Sequence, residues 1–126
     1  MERGMVNMPR DFRTLKAWQK ADDLVVEVYS LTTKHFPTDE RFGLTSQIRR
    51  AAFSAPVNIV EGSARRSTRE FRRFLDIALS SLTEVVYALR FAREAGMLSE
   101  EDWTPLNDRQ NRARFLTWRL YRSLAR

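Results

Sequence analysis

Five arginines, Arg65, Arg66, Arg69, Arg72 and Arg73, fall within nine residues of this chain, and they are the side chains best placed to do chemistry. A guanidinium presents a planar fork of donors that matches the paired oxygens of phosphate or carboxylate. Arg65 and Arg66 close one helical pattern, where positive charge complements the carbonyl end. Arg69, Arg72 and Arg73 open the next, where each opposes the helix dipole by about 0.3–1 kcal/mol. That cost implies a compensating partner. Local pairing is one candidate, since Glu70 to Arg73 and Arg72 to Asp76 lie within i+3 or i+4 reach. A bound polyanion is another, and Arg112, Arg119 and Arg126, seven apart on one outer face of a later helical pattern, extend such a surface. Neither cluster spells a base-reading motif, so binding to RNA or DNA would be phosphate-driven and weakly selective for sequence. Solvated charge and an acidic protein partner are the competing readings.

The charge is concentrated. The chain carries +6 overall, yet residues 41–73 hold eight arginines against two acids and residues 109–126 hold six against none, while 1–40 and 74–108 are net acidic. Of the 22 basic residues, 19 are Arg, a bias that suits bidentate recognition but that a GC-rich genome also produces.

Catalysis finds little to work with. There is one histidine, His35, and no cysteine. A di-iron bundle needs a Glu-x-x-His pair on two helices, and zinc sites fare no better without cysteine. Nucleophilic triads lack a base partner, and no glycine-rich phosphate loop is present. His35, near the end of the first helical pattern and on its apolar side, reads as a helix-end residue that meets the C-terminal dipole or caps the core. The expectation is a protein that is not an enzyme and takes no metal or cofactor. At 126 residues, 43% of them hydrophobic, the chain suits one domain that buries about two-thirds of its unfolded surface. Four glycines and four prolines lean it toward helix. No apolar run serves as a signal core or membrane span, so a cytoplasmic location with no membrane partner is expected.

Four helices position these residues. Residues 1–13 read as a flexible N-terminal tail and 14–126 as a single bundle domain. The first helix runs from about Leu15 to Lys34, with Ala17, Ala21, Leu24, Val28 and Leu31 as its apolar stripe. After Pro37, Thr38 or Asp39 caps the second, which passes Gly43 and continues to about Arg65 with a kink at Pro56. The third opens on the capping-box spelling Ser67-Thr68-Arg69-Glu70 and ends at Gly96. Ser99, followed by Glu100, Glu101 and Asp102, opens the fourth, which frays near Arg126. Connections this short predict an all-α, up-down-up-down antiparallel four-helix bundle.

The second helix has more faces than a solitary bundle member needs. Ile48, Ala52, Ala55, Ile59 and Gly62 share one side, while Phe53, Val57, Val60 and Ala64 lie roughly opposite. Two apolar faces need two partners, which predicts packing inside the bundle on one side and against another subunit on the other. Tyr87 and Phe91 on the third helix, with Phe115 and Trp118 on the fourth, join Phe53, Val57 and Val60 as candidate contacts of a homo-oligomer. Between the two faces runs a polar stripe, Gln47, Arg50, Ser54, Asn58, Glu61 and Arg65, whose groups must be paired if buried.

The words LKAWQKADDLVVEVYSLT, FPTDERFGLTSQIRRAAFSAPVNIVEG and REFRRFLDIALSSLTEV, in that order, resemble the four-helix-bundle family first known from open reading frames inside intervening sequences of bacterial 23S ribosomal RNA. More distantly, they are similar to accessory proteins of diversity-generating retroelements. The resemblance covers about Leu15 to Leu98. Ala55 stands where that family usually has Ile, Val60 where it has Ala, and Ser80 where it prefers Gly. The resemblance implies a closed homopentamer and no established catalytic activity. It also marks Asn58, Glu61 and Gly62 as the family's most recognisable cluster. Asn58 and Glu61 read either as a ligand-binding pair or as a buried polar network with Arg50, Ser54 or a neighbouring subunit, and Gly62 as a close-packing point. The expected function is to bind or scaffold nucleic acid, with RNA the favoured class, through arginine-rich surfaces. The alternative is a protein-interaction scaffold for an acidic partner, without nucleic-acid contact.

Overall fold

The four apolar patterns become four helices, α1 (Lys16–His35), α2 (Leu44–Ser63), α3 (Thr68–Glu94) and α4 (Glu100–Ser123), with single 3-10 turns at Phe12–Thr14 and Thr38–Glu40. The computed structural model describes residues 10–124, and no strand occurs among them. Arg126 and residues 1–9 lie outside the described residues.

Most helix ends have local causes. Ser67 Oγ accepts the Glu70 N–H at 2.9 Å and Ser99 Oγ accepts the Asp102 N–H at 3.1 Å, caps of a kind that contribute about 1 kcal/mol each. After α3, Gly96 takes φ +81°, its N–H bonds the Arg93 carbonyl at 3.1 Å, and the Met97 N–H bonds that of Ala92 at 2.8 Å. These crossed bonds satisfy carbonyls that the helix itself leaves open, and the left-handed geometry suits glycine. The start of α2 differs from expectation. Thr38 and Asp39 are consumed by a 3-10 turn, and the longer Glu40 side chain reaches over Gly43 to accept the Leu44 N–H at 3.0 Å. Pro56 is buried inside α2, which continues without interruption from Leu44 to Ser63.

Each helix packs on its neighbours in sequence, and α1 packs on α4, so the four close into a ring with no close backbone approach across either diagonal among the described residues. Cross-helix partners run in opposite order along α2 and α3. Gln47 meets Glu84, Ser54 meets Ser81, and Gly62 meets Phe71 and Phe74. The first apolar face of α2, Ile48, Ala52, Ala55, Ile59 and Gly62, is buried throughout, against Phe71, Leu75, Leu82 and Val85 of α3 and Leu24 and Val28 of α1. Burying each large side chain stabilises by about 1.5–3 kcal/mol. Alanines at 51, 52 and 55 keep the α2 surface low, which lets α3 lie close along it.

Arg10 to Arg13, the end of the expected tail, are instead seated on the bundle. Arg10 Nη1 donates to the carbonyls of Ser63 and Arg65, each at 3.2 Å, and its guanidinium lies 4.9 Å from the Phe71 ring. Those carbonyls belong to the end of α2, where donors are scarce, and a cation there also suits the dipole. Asp11 accepts from the Arg13 side chain and backbone N–H, and the guanidinium bond, the larger cause, holds its carboxyl below the usual carboxylate range. Phe12 meets Trp18 edge to face at 4.9 Å.

Gly62 marks the tightest approach. A Cβ placed there would stand 2.7 Å from Phe74 Cβ and 2.9 Å from Phe71 Cδ1, and the first of these atoms cannot swing away from its backbone. Gly62→Ala is expected to push α2 and α3 apart and to cost about 1–3 kcal/mol, read as a lower denaturant midpoint at unchanged slope. A midpoint equal to the wild type would show that the contact is looser than described.

Candidate functional site

The arginine turn lies at one end of the bundle, and packing brings other cations to it. Arg65, Arg66, Arg69 and Arg73 are exposed and Arg72 is half-buried. Of the two local pairs expected from spacing, Glu70 to Arg73 forms at 3.6 Å. Arg72 does not pair with Asp76. Its guanidinium turns inward across the α3/α4 crossing to stack 4.0 Å from the Tyr121 ring, and its Nε is buried with no hydrogen-bond partner. The stacked ring recovers in cation–π attraction what the lost ion pair would have supplied. Arg65 and Arg73 both lie over Phe74, at 4.8 and 4.9 Å. Ser67, Arg69, Glu70, Arg72, Arg73, Asp76 and Tyr121 line a cleft of about 640 Å³. Arg122, next to Tyr121 on α4, is exposed, whereas Arg119, two residues before Tyr121 and so on the far side of α4, lines a groove with Leu15, Lys16 and Ala17 at the start of α1. Arg112, two turns farther along, is also exposed.

The polar stripe of α2 is not a buried network within the protomer. Gln47, Arg50 and Glu61 are exposed, and Ser54 and Asn58 are half-buried. The inward side of α2 is already filled by its first apolar face, so the stripe sits at the mouth of the α2/α3 groove. Asn58 Nδ2 donates to the Ser54 carbonyl at 2.8 Å and to Ser54 Oγ at 3.0 Å. Ser81 donates to the same Oγ at 2.8 Å, and Gln47 donates to Glu84 at 3.2 Å. Glu61 has no polar partner among the described residues. A pair with Arg50 is ruled out by geometry, since eleven residues of helix separate them by about 16 Å. Gln47, Arg50, Ser54, Ser81 and Glu84, with Phe42 at the rim, line a cleft of about 460 Å³.

The exposed apolar residues divide between two opposite edges of the ring. On the α1/α2 edge stand Val26, Tyr29, Phe42 and Phe53, the last 56% exposed, with Val57 and Val60 half-buried beside it. On the α3/α4 edge stand Phe115, 50% exposed, and Trp118, 46% exposed, facing Leu79 and Thr83 across a groove. Tyr87 and Phe91 project from the outer face of α3. His35 ends α1, is exposed, and faces Asp102 Oδ2 at 3.3 Å. No group of three or more metal-ligating side chains occurs among the described residues, and no helix among them is long and apolar enough to cross a membrane.

Sequence reasoning missed the two arginines that hydrogen-bond from one element to another. Arg49 spans α2 to α1, donating to the hydroxyls of Thr32 and Thr33 at 2.9 Å each and stacking 4.6 Å from the Tyr29 ring. Arg10 is the other. The available signal was the pairing of an arginine-rich composition with 14 aromatic residues, because the described residues contain nine guanidiniums over aromatic rings where roughly two would be ordinary for this length.

A closed ring of four helices, with arginine over aromatic rings as its recurring surface contact, defines a helical-bundle protein. The chain belongs to the 23S rRNA-intervening sequence protein family, whose profile matches residues 13–117. Its fold is shared by a solved structure from Bacteroides thetaiotaomicron, described as a protein of unknown function from the S23 ribosomal protein family. That structure is 22% identical, with a TM-score of 0.77 over 83% of this chain and 97% of the other. No curated protein matches the chain significantly.

Glu61 supplies a discriminating substitution. Exposed and unpaired, it should tolerate Glu61→Gln with a stability change within about 0.5 kcal/mol. A melting temperature that falls together with a change in oligomer size would place the carboxylate against a neighbouring subunit.

Proposed function

We propose that this protein is a non-enzymatic, cytoplasmic homo-oligomer of up-down-up-down bundles that binds nucleic acid, RNA above all, by its phosphates. The observation that carries this reading is the exposure of Arg66, Arg69 and Arg122, without carboxylate partners among the described residues, around the α3/α4 cleft where Arg69, the half-buried Arg72 and Arg73 converge. Charges held without local counter-charge repel one another, and a polyanion relieves that repulsion by releasing its own counterions. The opposite order of partners along α2 and α3 supports the up-down arrangement.

Assembly follows from the α1/α2 edge, where Phe53 is exposed and Val57 and Val60 are half-buried among the described residues. A ring of five is the assembly implied by the resemblance, and it would repeat the arginine end five times. Phe53→Asp is expected to dissociate the oligomer while leaving the protomer folded, because the position is exposed in one copy and buried only by a second. Light scattering of wild type and variant checks it, and a monomeric wild type at micromolar concentration removes the interface.

For binding, Arg72 is a poor test because its stacking on Tyr121 ties it to the fold. Arg66, Arg69 and Arg122 changed together to Gln should instead weaken RNA binding and flatten the slope of log affinity against log salt by about 0.7–0.9 per lost contact. Stability should stay within about 0.5 kcal/mol of the wild type. A triple variant with the wild-type slope sinks phosphate binding at this end, and binding to an acidic protein that survives high salt would favour the scaffold instead.

A further inference from the structure

The arginine cleft and the aromatic groove are neighbours along the same helix pair. Both lie between α3 and α4, and Tyr121 of the first stacks on Trp118 of the second, with ring centroids 5.6 Å apart and planes 15° from parallel. Guanidiniums cover the flanks of this pair, Arg72 at 4.0 Å from the Tyr121 ring and Arg122 at 6.0 Å from the Trp118 ring. One turn back, Phe115 carries Arg119 at 5.7 Å. The groove thus changes character along its length. Near Arg69 it is a cleft of about 640 Å³ with three arginines, and toward Asn111 it is a cleft of about 380 Å³ lined by Phe115, Trp118, Leu79 and Thr83. From Arg69 to Thr83 along α3 is about 21 Å at 1.5 Å per residue, the length of roughly six stacked nucleotides at 3.4 Å each.

We infer that this groove is a stacking platform for unpaired bases, so that the nucleic acid it takes is single-stranded. The inference rests on the phosphate-binding reading above and adds the chemical class of the ligand. A duplex hides its base faces and offers only phosphate and sugar to a flat surface, where exposed indole and phenyl rings gain nothing. An unpaired strand offers both a charged backbone and free π-faces. Tyr121 is already covered by Arg72 and Trp118. The rings open to bases are therefore Phe115, 50% exposed, and Trp118, 46% exposed, which with the neighbouring arginines satisfy backbone and bases together without reading sequence. Charge complementarity selects the same occupant. Residues 109–126 of the chain contain no acid, and of the two carboxylates lining the cleft Glu70 is already paired with Arg73. Phe115 and Trp118, expected from sequence as subunit contacts, are assigned here to the ligand, leaving assembly to the opposite α1/α2 edge.

Three probes of equal length separate the contributions: oligouridylate, an abasic strand with the same phosphates, and a duplex. The wild-type protein should bind oligouridylate about tenfold more tightly than the abasic strand, more tightly than the duplex, and with quenching of tryptophan fluorescence. Trp118→Ala should lose roughly that tenfold on oligouridylate, lose nothing on the abasic strand and keep the salt slope, and Trp118→Phe should recover most of the loss. Equal affinity for oligouridylate and the abasic strand, with a steep salt slope, overturns the platform and leaves phosphate binding standing. No binding to any probe at low salt overturns both. A Trp118→Ala protein of altered oligomer size also overturns it, by showing that the groove is a contact between copies. The comparison of probes on the wild type needs no variant to fold.

Discussion

The absence of a side chain at position 62 governs the geometry of the functional end. α2 and α3 converge there until the space for one Cβ is gone, which sets how α3 leaves the turn and therefore where Arg69, Arg72 and Arg73 begin. The buried neighbours Ser63 and Phe71 are placed by the same approach. Ser63 offers its carbonyl, and Phe71 its ring, to Arg10. A methyl group between the helices would disturb this whole corner, because interiors packed at crystal-like density transmit a shift of a few tenths of an ångström instead of absorbing it.

Arginine stacking is the second organising interaction. In most small bundles surface cations are stabilised by carboxylates, and exposed pairs of that kind contribute little. Here several guanidiniums rest on rings, as Arg93 does on Trp103 at 3.9 Å and Arg72 on Tyr121. A stacked guanidinium keeps its donor edge free while its face is desolvated, so the same side chain can pack against the protein and still present hydrogen bonds outward. An arginine-rich surface built this way is ordered without being neutralised.

The helices were legible in the chain because their causes are local. Periodicity marked the inward face of α2, serine caps marked the starts of α3 and α4, and Gly96 marked the end of α3. What escaped depended on distant partners. Spacing alone paired Arg72 with Asp76, since nothing within reach of α3 announces a tyrosine 49 residues downstream. The polar stripe was legible as a stripe, but periodicity says which residues share a face and not what covers it, and Gln47, Arg50 and Glu61 proved open. Arg10 looked like tail because its acceptors, at Ser63 and Arg65, lie more than fifty residues away. The arginine turn, by contrast, was readable from one short segment, while the aromatic half of the groove required the α3/α4 crossing.

The ring is closed by the first and last helices of the chain. His35 faces Asp102 and Glu27 faces Arg109 at 3.9 Å, contacts separated by 67 and 82 residues, whereas α2 and α3 meet across a four-residue turn. In kinetic terms the two inner helices form a hairpin of low contact order that can assemble early, and the seam between α1 and α4 bears most of the loop-closure entropy. On a ribosome, α4 leaves the exit tunnel after α3. The groove it builds with α3 therefore does not exist until α4 has emerged, and a nascent chain shows its arginine turn before it has the aromatic rings to go with it.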